Sequence, residues 1–181
     1  MPIKKSITAI AGLPSSGKST VGEQLSNIID ATFLDVDDAR QAVASGNAWL
    51  GPEKEREIML AAYEHNHRQA LKLLETGEAV ILAATYSRPI YHQMLRELSL
   101  TADVPLLVFL LQIDDRVATR RLEQRKEQKS KSNVTTLESY QEVKHRYIPF
   151  PEAIVLDSST PIEKTSQFIL DGLTRLNLIQ T

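Results

Sequence analysis

"GLPSSGKST", residues 12–20, follows the apolar run "SITAIA" (6–11) without a break. Two glycines bracket four small or turn-forming residues, and a lysine and two hydroxyls come next. Gly12, Gly17, Lys18 and Ser19 satisfy the spacing G-x-x-x-x-G-K-[ST], in which the backbone N–H groups of a loop converge on phosphates. From average residue usage, a random chain of this length would match that spacing in well under ~1 % of cases. Here a strand-length apolar run precedes it and "GKSTVGEQLSNII" reads as a helix after it, which is the setting that such a loop requires. The spacing assigns Lys18 to the β- and γ-phosphates, the Ser19 hydroxyl to Mg²⁺, and the start of the helix to the anion. Gly12, Leu13, Pro14, Ser15, Ser16, Gly17, Lys18, Ser19 and Thr20 therefore form the expected nucleotide-binding element, with a nucleoside triphosphate and Mg²⁺ as its ligands.

Further apolar runs of strand length recur along the chain: "ATFLDV" (31–36), "AVILAA" (79–84), "LLVFLLQI" (106–113) and "AIVLD" (153–157). They are nearly continuous in apolar character, as in strands buried on both faces of a parallel sheet. Helical stretches separate them. The longest, "PEKEREIMLAAYEHNHRQALKLLETG", opens on a proline and closes at Gly77. Its Ile58 and Ala62 mark a core-facing stripe. Strand–helix alternation throughout predicts a three-layer α/β/α domain, and with no repeat or linker one domain over 1–181 is expected. Of 181 residues, 42 % are hydrophobic and 24 % charged, enough for a packed core without wholesale disorder. The formal net charge of −2 gives no global attraction to nucleic acid or an anionic membrane. The chain has no cysteine, which excludes disulfides, thiolate catalysis and cysteine-based zinc sites. "MPIKKSITAIAG" has too short an apolar stretch for a secretory leader, and no run nears the ~20 residues of a membrane helix. A cytoplasmic protein, monomeric or weakly dimeric, is expected.

Taken in order, "GLPSSGKST", "FLDVDDARQ", "VILAATYSRP", "RRLEQR" and "IVLDSS" resemble the motifs of small P-loop kinases. The group is the nucleoside-monophosphate-kinase-like one, in particular zeta-toxin- and polynucleotide-kinase-like kinases and AAA-family ATP-binding proteins. The first motif is specific; the others gain force from order and spacing. The resemblance implies a five-stranded parallel sheet in the order 2-3-1-4-5 and a lid, here residues 114–135, that closes over ATP.

"FLDVDDAR" places Asp35, Asp37 and Asp38 where the second strand meets its helix, at the end of a parallel sheet that lines the ligand crevice. An acceptor alcohol needs a base or hydrogen-bond acceptor there. The resemblance makes Asp37 that base, Arg40 a contact for the acceptor or a phosphate, and Asp35 a partner of Mg²⁺-bound water; Asp38 is expected to cap the helix. Where many relatives carry an acid on the third strand, this chain has Ala83 and Ala84. Thr85 and Arg88 become acceptor-side candidates. The R-x-x-x-R of lid-type kinases falls on Arg121 and Arg125, one helical turn apart. It implies that Arg121 flanks adenine or phosphates and that Arg125 neutralises charge on the transferring group. Arg116 and Arg120 read as solvated. Asp157, Ser158 and Ser159 border the adenine by the same resemblance, although Thr160-Pro161 also makes an ordinary helix start. His65 and His67, two apart on a helix, cannot share a metal and read as surface or groove residues. Trp49 reads as a packing anchor or a stacking platform.

These residues point to a phosphotransferase moving the γ-phosphoryl group of ATP to a hydroxyl acceptor, with nucleic acid entering only as a 5′-end substrate. Two alternatives stay open. A nucleoside-monophosphate kinase would need several arginines for the acceptor phosphate, and the sequence offers only Arg40, Arg88 and Arg96. A non-catalytic, ATP-binding switch is suggested by the missing acid at Ala83 and Ala84.

Overall fold

Residues 1–44, 51–125 and 132–179 are described by a computed structural model of the chain; the side chains of Pro52 and Arg125 lie outside that description. Five strands, β1 (Ile7–Gly12), β2 (Ala31–Asp35), β3 (Ala79–Ala83), β4 (Leu106–Gln112) and β5 (Ile154–Asp157), form one sheet in the order β2-β3-β1-β4-β5. Every pairing is parallel, as expected from the sequence. The helices are α1 (Lys18–Ser26), α2 (Val36–Val43), α3 (Pro52–Glu75), α4 (Pro89–Ala102), α5 (Asp115–Arg125), α6 (Leu137–His145) and α7 (Ile162–Arg175).

The two-residue period of the strands sorts their side chains between two cores. Ile7, Ala9 and Ala11 of β1, Val80 and Leu82 of β3 and Val108 of β4 join Ala62, Tyr63 and Leu74 of α3 and Leu95 of α4. Ile10, Ile81, Leu107, Phe109 and Leu111 face the other way, against Val21 and Leu25 of α1 and Ile169 and Leu173 of α7. This two-sided coverage explains why the central strands read as unbroken apolar runs. β5 departs from that reading: Ile154 is 49 % and Val155 55 % exposed, because β5 is an outer strand paired only to β4. A third cluster, Ile113, Ala118, Leu122, Val134 and Tyr140, ties α5 to α6. The middle of the expected lid, residues 126–131, lies outside the described residues, as does Trp49.

In register, Asp35 lies beside Ala83, Ala83 beside Ile10, and Gly12 beside Leu111. The carboxyl ends of the strands, and the loops that leave them, thus share one edge of the sheet. Two close approaches hold the first loop there. A Cβ on Gly12, whose φ is 146°, would lie 2.6 Å from the Leu111 carbonyl oxygen. A Cβ on Gly22 of α1 would lie 2.2 Å from the Phe33 ring of β2. Gly22→Ala should therefore destabilise the protein by about 1–3 kcal/mol, the usual cost of over-packing. Phe33→Leu in the same chain should recover part of that loss. Urea unfolding of the single and double variants checks both.

Candidate functional site

The loop between β1 and α1 is unusual in its backbone. Ser15 has a φ of 66° and Gly17, the N-cap of α1, a φ of 94° with no side-chain cap bond. A non-glycine residue adopts left-handed geometry at a local cost of about 1–3 kcal/mol, and only where its surroundings over-determine it. The first turn of α1 presents backbone N–H groups that no residue of the helix can pair. The Ser15 and Ser16 hydroxyls are buried without a hydrogen-bond partner within the protein. Lys18 Nζ donates to the Leu13 carbonyl at 3.0 Å. Orphaned donors, a cationic tip and glycines that a side chain would block make a cradle of the size and sign of a phosphate chain.

Asp35 binds this cradle to the neighbouring strand. It is 7 % exposed, and its Oδ2 accepts the Ser19 hydroxyl at 2.5 Å. Its Oδ1 accepts the Asp37 N–H at 2.9 Å, making Asp35 the N-cap of α2. The expected cap, Asp38, is instead exposed in the first turn, because α2 starts directly after β2 and the last strand residue falls at the cap position. Asp37 lines a pocket together with Lys18, Ser19, Asp35, Thr85 and Arg88.

Arg40 departs from the expectation of a ligand contact. Its guanidinium is fully buried and donates to Glu55 of α3 at 2.8 and 3.3 Å. Glu55 lines the pocket and also accepts from the Asn133 amide at 2.7 Å. Arg40 thus braces α2 against α3, and among the described residues the arginines that line this pocket come from elsewhere. They are Arg56 of α3, Arg88 at the N-cap of α4, and Arg146 at the C-cap of α6. Burial, with the nearby Arg88 and Arg56 charges, lowers the Arg146 pKa against the opposing influence of Glu142. Arg96, the third arginine expected on this side, instead pairs with Glu152 at 2.6 Å and lies over the Phe150 ring. Sequence reasoning missed Arg56 and Arg146. The one signal for Arg56 was its place on the helical stripe Arg56, Met59, Tyr63, an otherwise apolar face; nothing local marked Arg146.

Behind that wall lies a buried aromatic network, also missed. Tyr63 stacks on Tyr91 at 4.0 Å between centroids. Its hydroxyl accepts the N–H of Tyr86, a residue in left-handed conformation with φ 46°. His92 Nε2 donates to the Tyr86 carbonyl at 2.7 Å, and His67 Nε2 lies 3.2 Å from the Tyr86 hydroxyl. These bonds set the course of the chain on either side of Tyr86, and so the positions of Thr85 and Arg88. His67 is therefore a core residue rather than a surface or groove one, and burial brings its pKa down to about 4. Ala83 and Ala84, just before the loop, are buried apolar.

On the other side of the phosphate loop, Arg121 Nη1 donates to the Ser15 carbonyl at 3.1 Å and Nη2 to the Ser158 carbonyl at 3.0 Å. It lines a second cleft with Gly17, Thr20, Gln124, Ser158 and Thr160. Of the residues expected here, Ser158 lines the cleft together with Thr160, whereas Ser159 is exposed, with its N–H bonded to Asp157 at 2.8 Å. Arg125 ends α5. Among the described residues there is no group of three or more His, Cys, Asp or Glu able to hold a metal ion, and no helix long and apolar enough to cross a membrane.

A family model described as "AAA domain" matches residues 7–149. A gluconokinase of Arabidopsis thaliana is 31 % identical over 90 residues, which are 50 % of this chain and 48 % of that protein. The match thus spans about half the length of that curated relative. The APS kinase CysC of Mycobacterium tuberculosis, solved in complex with AMPPNP and APS, superposes with a TM-score of 0.69. It is 18 % identical, with 96 % of this chain and 99 % of that one covered. A sugar kinase of Janibacter sp. HTCC2649 gives a TM-score of 0.67 at 19 % identity, with 96 % and 95 % covered. These two likenesses establish the P-loop kinase fold.

The His67 environment has a pH signature. Folding lowers its pKa from 6.5 to about 4, so between those values the unfolded chain binds a proton that the folded one does not. Stability should fall as pH drops through that window, by up to about 3 kcal/mol. In His67→Gln that part of the slope should vanish. Urea unfolding of both proteins between pH 7 and pH 4 measures the difference.

Proposed function

This chain belongs to the AAA-domain family, and from that premise we propose that it transfers the γ-phosphoryl group of ATP to a hydroxyl of a small acceptor. The observation that carries the reading is one pocket lined at once by Lys18 and Ser19 of the phosphate loop, by the Asp37 carboxylate, and by Thr85 and Arg88. A phosphate donor and an acceptor hydroxyl would meet there.

In this reading residues 12–20 hold the phosphates through backbone N–H groups, and Lys18 places its charge on the β- and γ-phosphoryl oxygens. Ser19 and Asp35, hard oxygen donors already in contact, would hold magnesium, which when bound neutralises phosphate charge. Asp37 orients the acceptor hydroxyl and takes its proton. Arg121, fixed between the phosphate loop and the loop after β5, contributes positive charge on the nucleotide side. Arg125, one turn further along α5, is assigned to the transferring group. Thr85 and Arg88 contact the acceptor. Residues 1–181 act as one domain, with the segment about 114–135 assigned as its lid.

Of the alternative enzymes, a nucleoside-monophosphate kinase gains Arg56 and Arg146 beside Arg88. Asp37 argues against it, because a carboxylate at the reacting position repels an acceptor phosphate. The ATP-binding switch is favoured by Ala83 and Ala84, and ATP consumption in the presence of acceptor separates it from a kinase.

Mg-ATP should raise the melting temperature of the wild-type protein, and Lys18→Ala should remove most of the rise; equal stabilisation of both would sink the phosphate-loop assignment. Asp37→Asn should leave ATP affinity by calorimetry nearly unchanged while phosphoryl transfer falls by roughly 10²–10⁴-fold. Full transfer by Asp37→Asn would remove that residue from the mechanism.

A further inference from the structure

We propose that the hydroxyls of Tyr63, Thr85, Ser87 and Tyr91 form a wall that selects a polyhydroxylated acceptor, one with further hydroxyls beside the hydroxyl that is phosphorylated. The inference deepens the phosphotransferase reading and rests on it. The four residues come from α3, the loop after β3 and the first turn of α4, and all line the pocket that holds Lys18 and Asp37. None of their hydroxyl protons is donated to another group among the described residues. The Tyr63 oxygen accepts the Tyr86 N–H at 2.9 Å, so what that group still has to offer is its proton. The Thr85, Ser87 and Tyr91 hydroxyls make no hydrogen bond among the described residues, and unlike that of Tyr147 they are not sealed in the interior. A donor held out of water without an acceptor is costly, and a ligand oxygen in the pocket removes that cost.

The wall is held in place before any ligand arrives. The Tyr63 and Tyr91 rings stack at 4.0 Å between centroids, 13° from parallel, and are 1 % and 6 % exposed. Thr85 and Ser87 flank Tyr86, whose backbone is tied to the Tyr63 hydroxyl and the His92 ring. On the far side of that loop the Ile148 N–H donates to the Ser87 carbonyl at 3.0 Å. Burial raises the pKa of both phenols above the usual range, so they stay protonated as donors. A hydroxyl both donates and accepts, and so does each hydroxyl of a polyol, which makes the two sets of groups complementary however each proton is turned. An acceptor with one hydroxyl on a bare carbon chain would leave the remaining donors unpaired, and a site built for a polar partner rejects the analogue that lacks it. In the reaction, the acceptor oxygen bonds to the γ-phosphorus as the bond to the β,γ-bridging oxygen breaks. ADP leaves, and the hydroxyl proton passes to Asp37.

Two measurements test the wall. The first needs no turnover. With the phosphate loop saturated by a non-hydrolysable ATP analogue and magnesium, sorbitol, mannitol and 1,6-hexanediol are titrated and their binding is followed on the ligand by NMR. The wild type should bind at least one hexitol about tenfold or more tighter than the diol, which has the same carbon chain without the inner hydroxyls. Thr85→Val and Tyr91→Phe remove hydroxyls that hold no other group in place, so both variants should melt as the wild type does. Each should cut the preference about 3–10-fold, as for one lost hydrogen bond. Tyr147→Phe, which removes a hydroxyl outside the pocket, should keep it whole. Equal binding of hexitols and diol by the wild type, binding of neither, or a preference untouched in both pocket variants would overturn the proposal. The second measures ATP-dependent transfer to a hexitol, an aldohexose and an aldonate, each beside its 2-deoxy counterpart. Discrimination against the deoxy compound that shrinks in Tyr91→Phe, with the KM for ATP unchanged, supports the proposal. Equal turnover of every pair by the wild type refutes it. Transfer to none, with the hexitol preference in binding intact, would sink the phosphotransferase reading and uphold the hydroxyl wall.

Discussion

The Asp35 carboxylate joins the parts of the site that lie on different strands. One oxygen accepts the Ser19 hydroxyl from the phosphate-loop helix, and the other caps the helix that carries Asp37. A buried carboxylate is costly unless several donors hold it, and here the donors are the groups that must be positioned. Losing either bond would leave charge uncompensated, so the spacing between the first turn of α1 and the start of α2 is set with little slack. Gly22, where α1 lies against the Phe33 ring of β2, brings the two elements close enough for the contact to form.

A second level of positioning works through buried polar bonds rather than through charge. Tyr86, which follows the Ala83-Ala84 strand end, has its backbone tied on both sides, to the Tyr63 hydroxyl and to the His92 ring. Its own hydroxyl lies against His67. The strain of a left-handed tyrosine is tolerated because those partners over-determine it. The Arg40–Glu55 pair does the same between α2 and α3. Such a buried pair adds little net stability over apolar packing, but breaking it leaves an unpaired charge and costs about 3–5 kcal/mol. The walls of the pocket therefore owe their geometry in part to groups set behind them, Arg40, Tyr86 and His92.

The phosphate loop, the parallel sheet with its 2-3-1-4-5 order, and the acids at the end of β2 were legible in the residues and in the family they resemble. The strand order came from the resemblance alone; the loop, the parallel sheet and the place of the acids rest on short-range facts. Glycine spacing sets where backbone N–H groups can converge, unbroken apolar runs require cover on both faces, and a strand end is adjacent in sequence to the loop it feeds. Within that stretch the reading misplaced the cap, since whether a helix starts one residue or three after its strand depends on where the strand stops pairing.

What the tertiary structure alone decided concerns residues whose meaning depends on distant neighbours. Arg40 and Arg56 both carry a guanidinium, yet one is buried against Glu55 and the other lines the pocket. Arg146 reaches that pocket from the end of a helix 90 residues beyond Arg56. His67 read as a surface or groove residue until α3 was placed over Tyr86. A local pattern can specify a loop, because its donors act on one ligand from a few consecutive residues. The sign and shape of a wall built from three separate elements are set by the packing that brings them together, and no short-range signal encodes it.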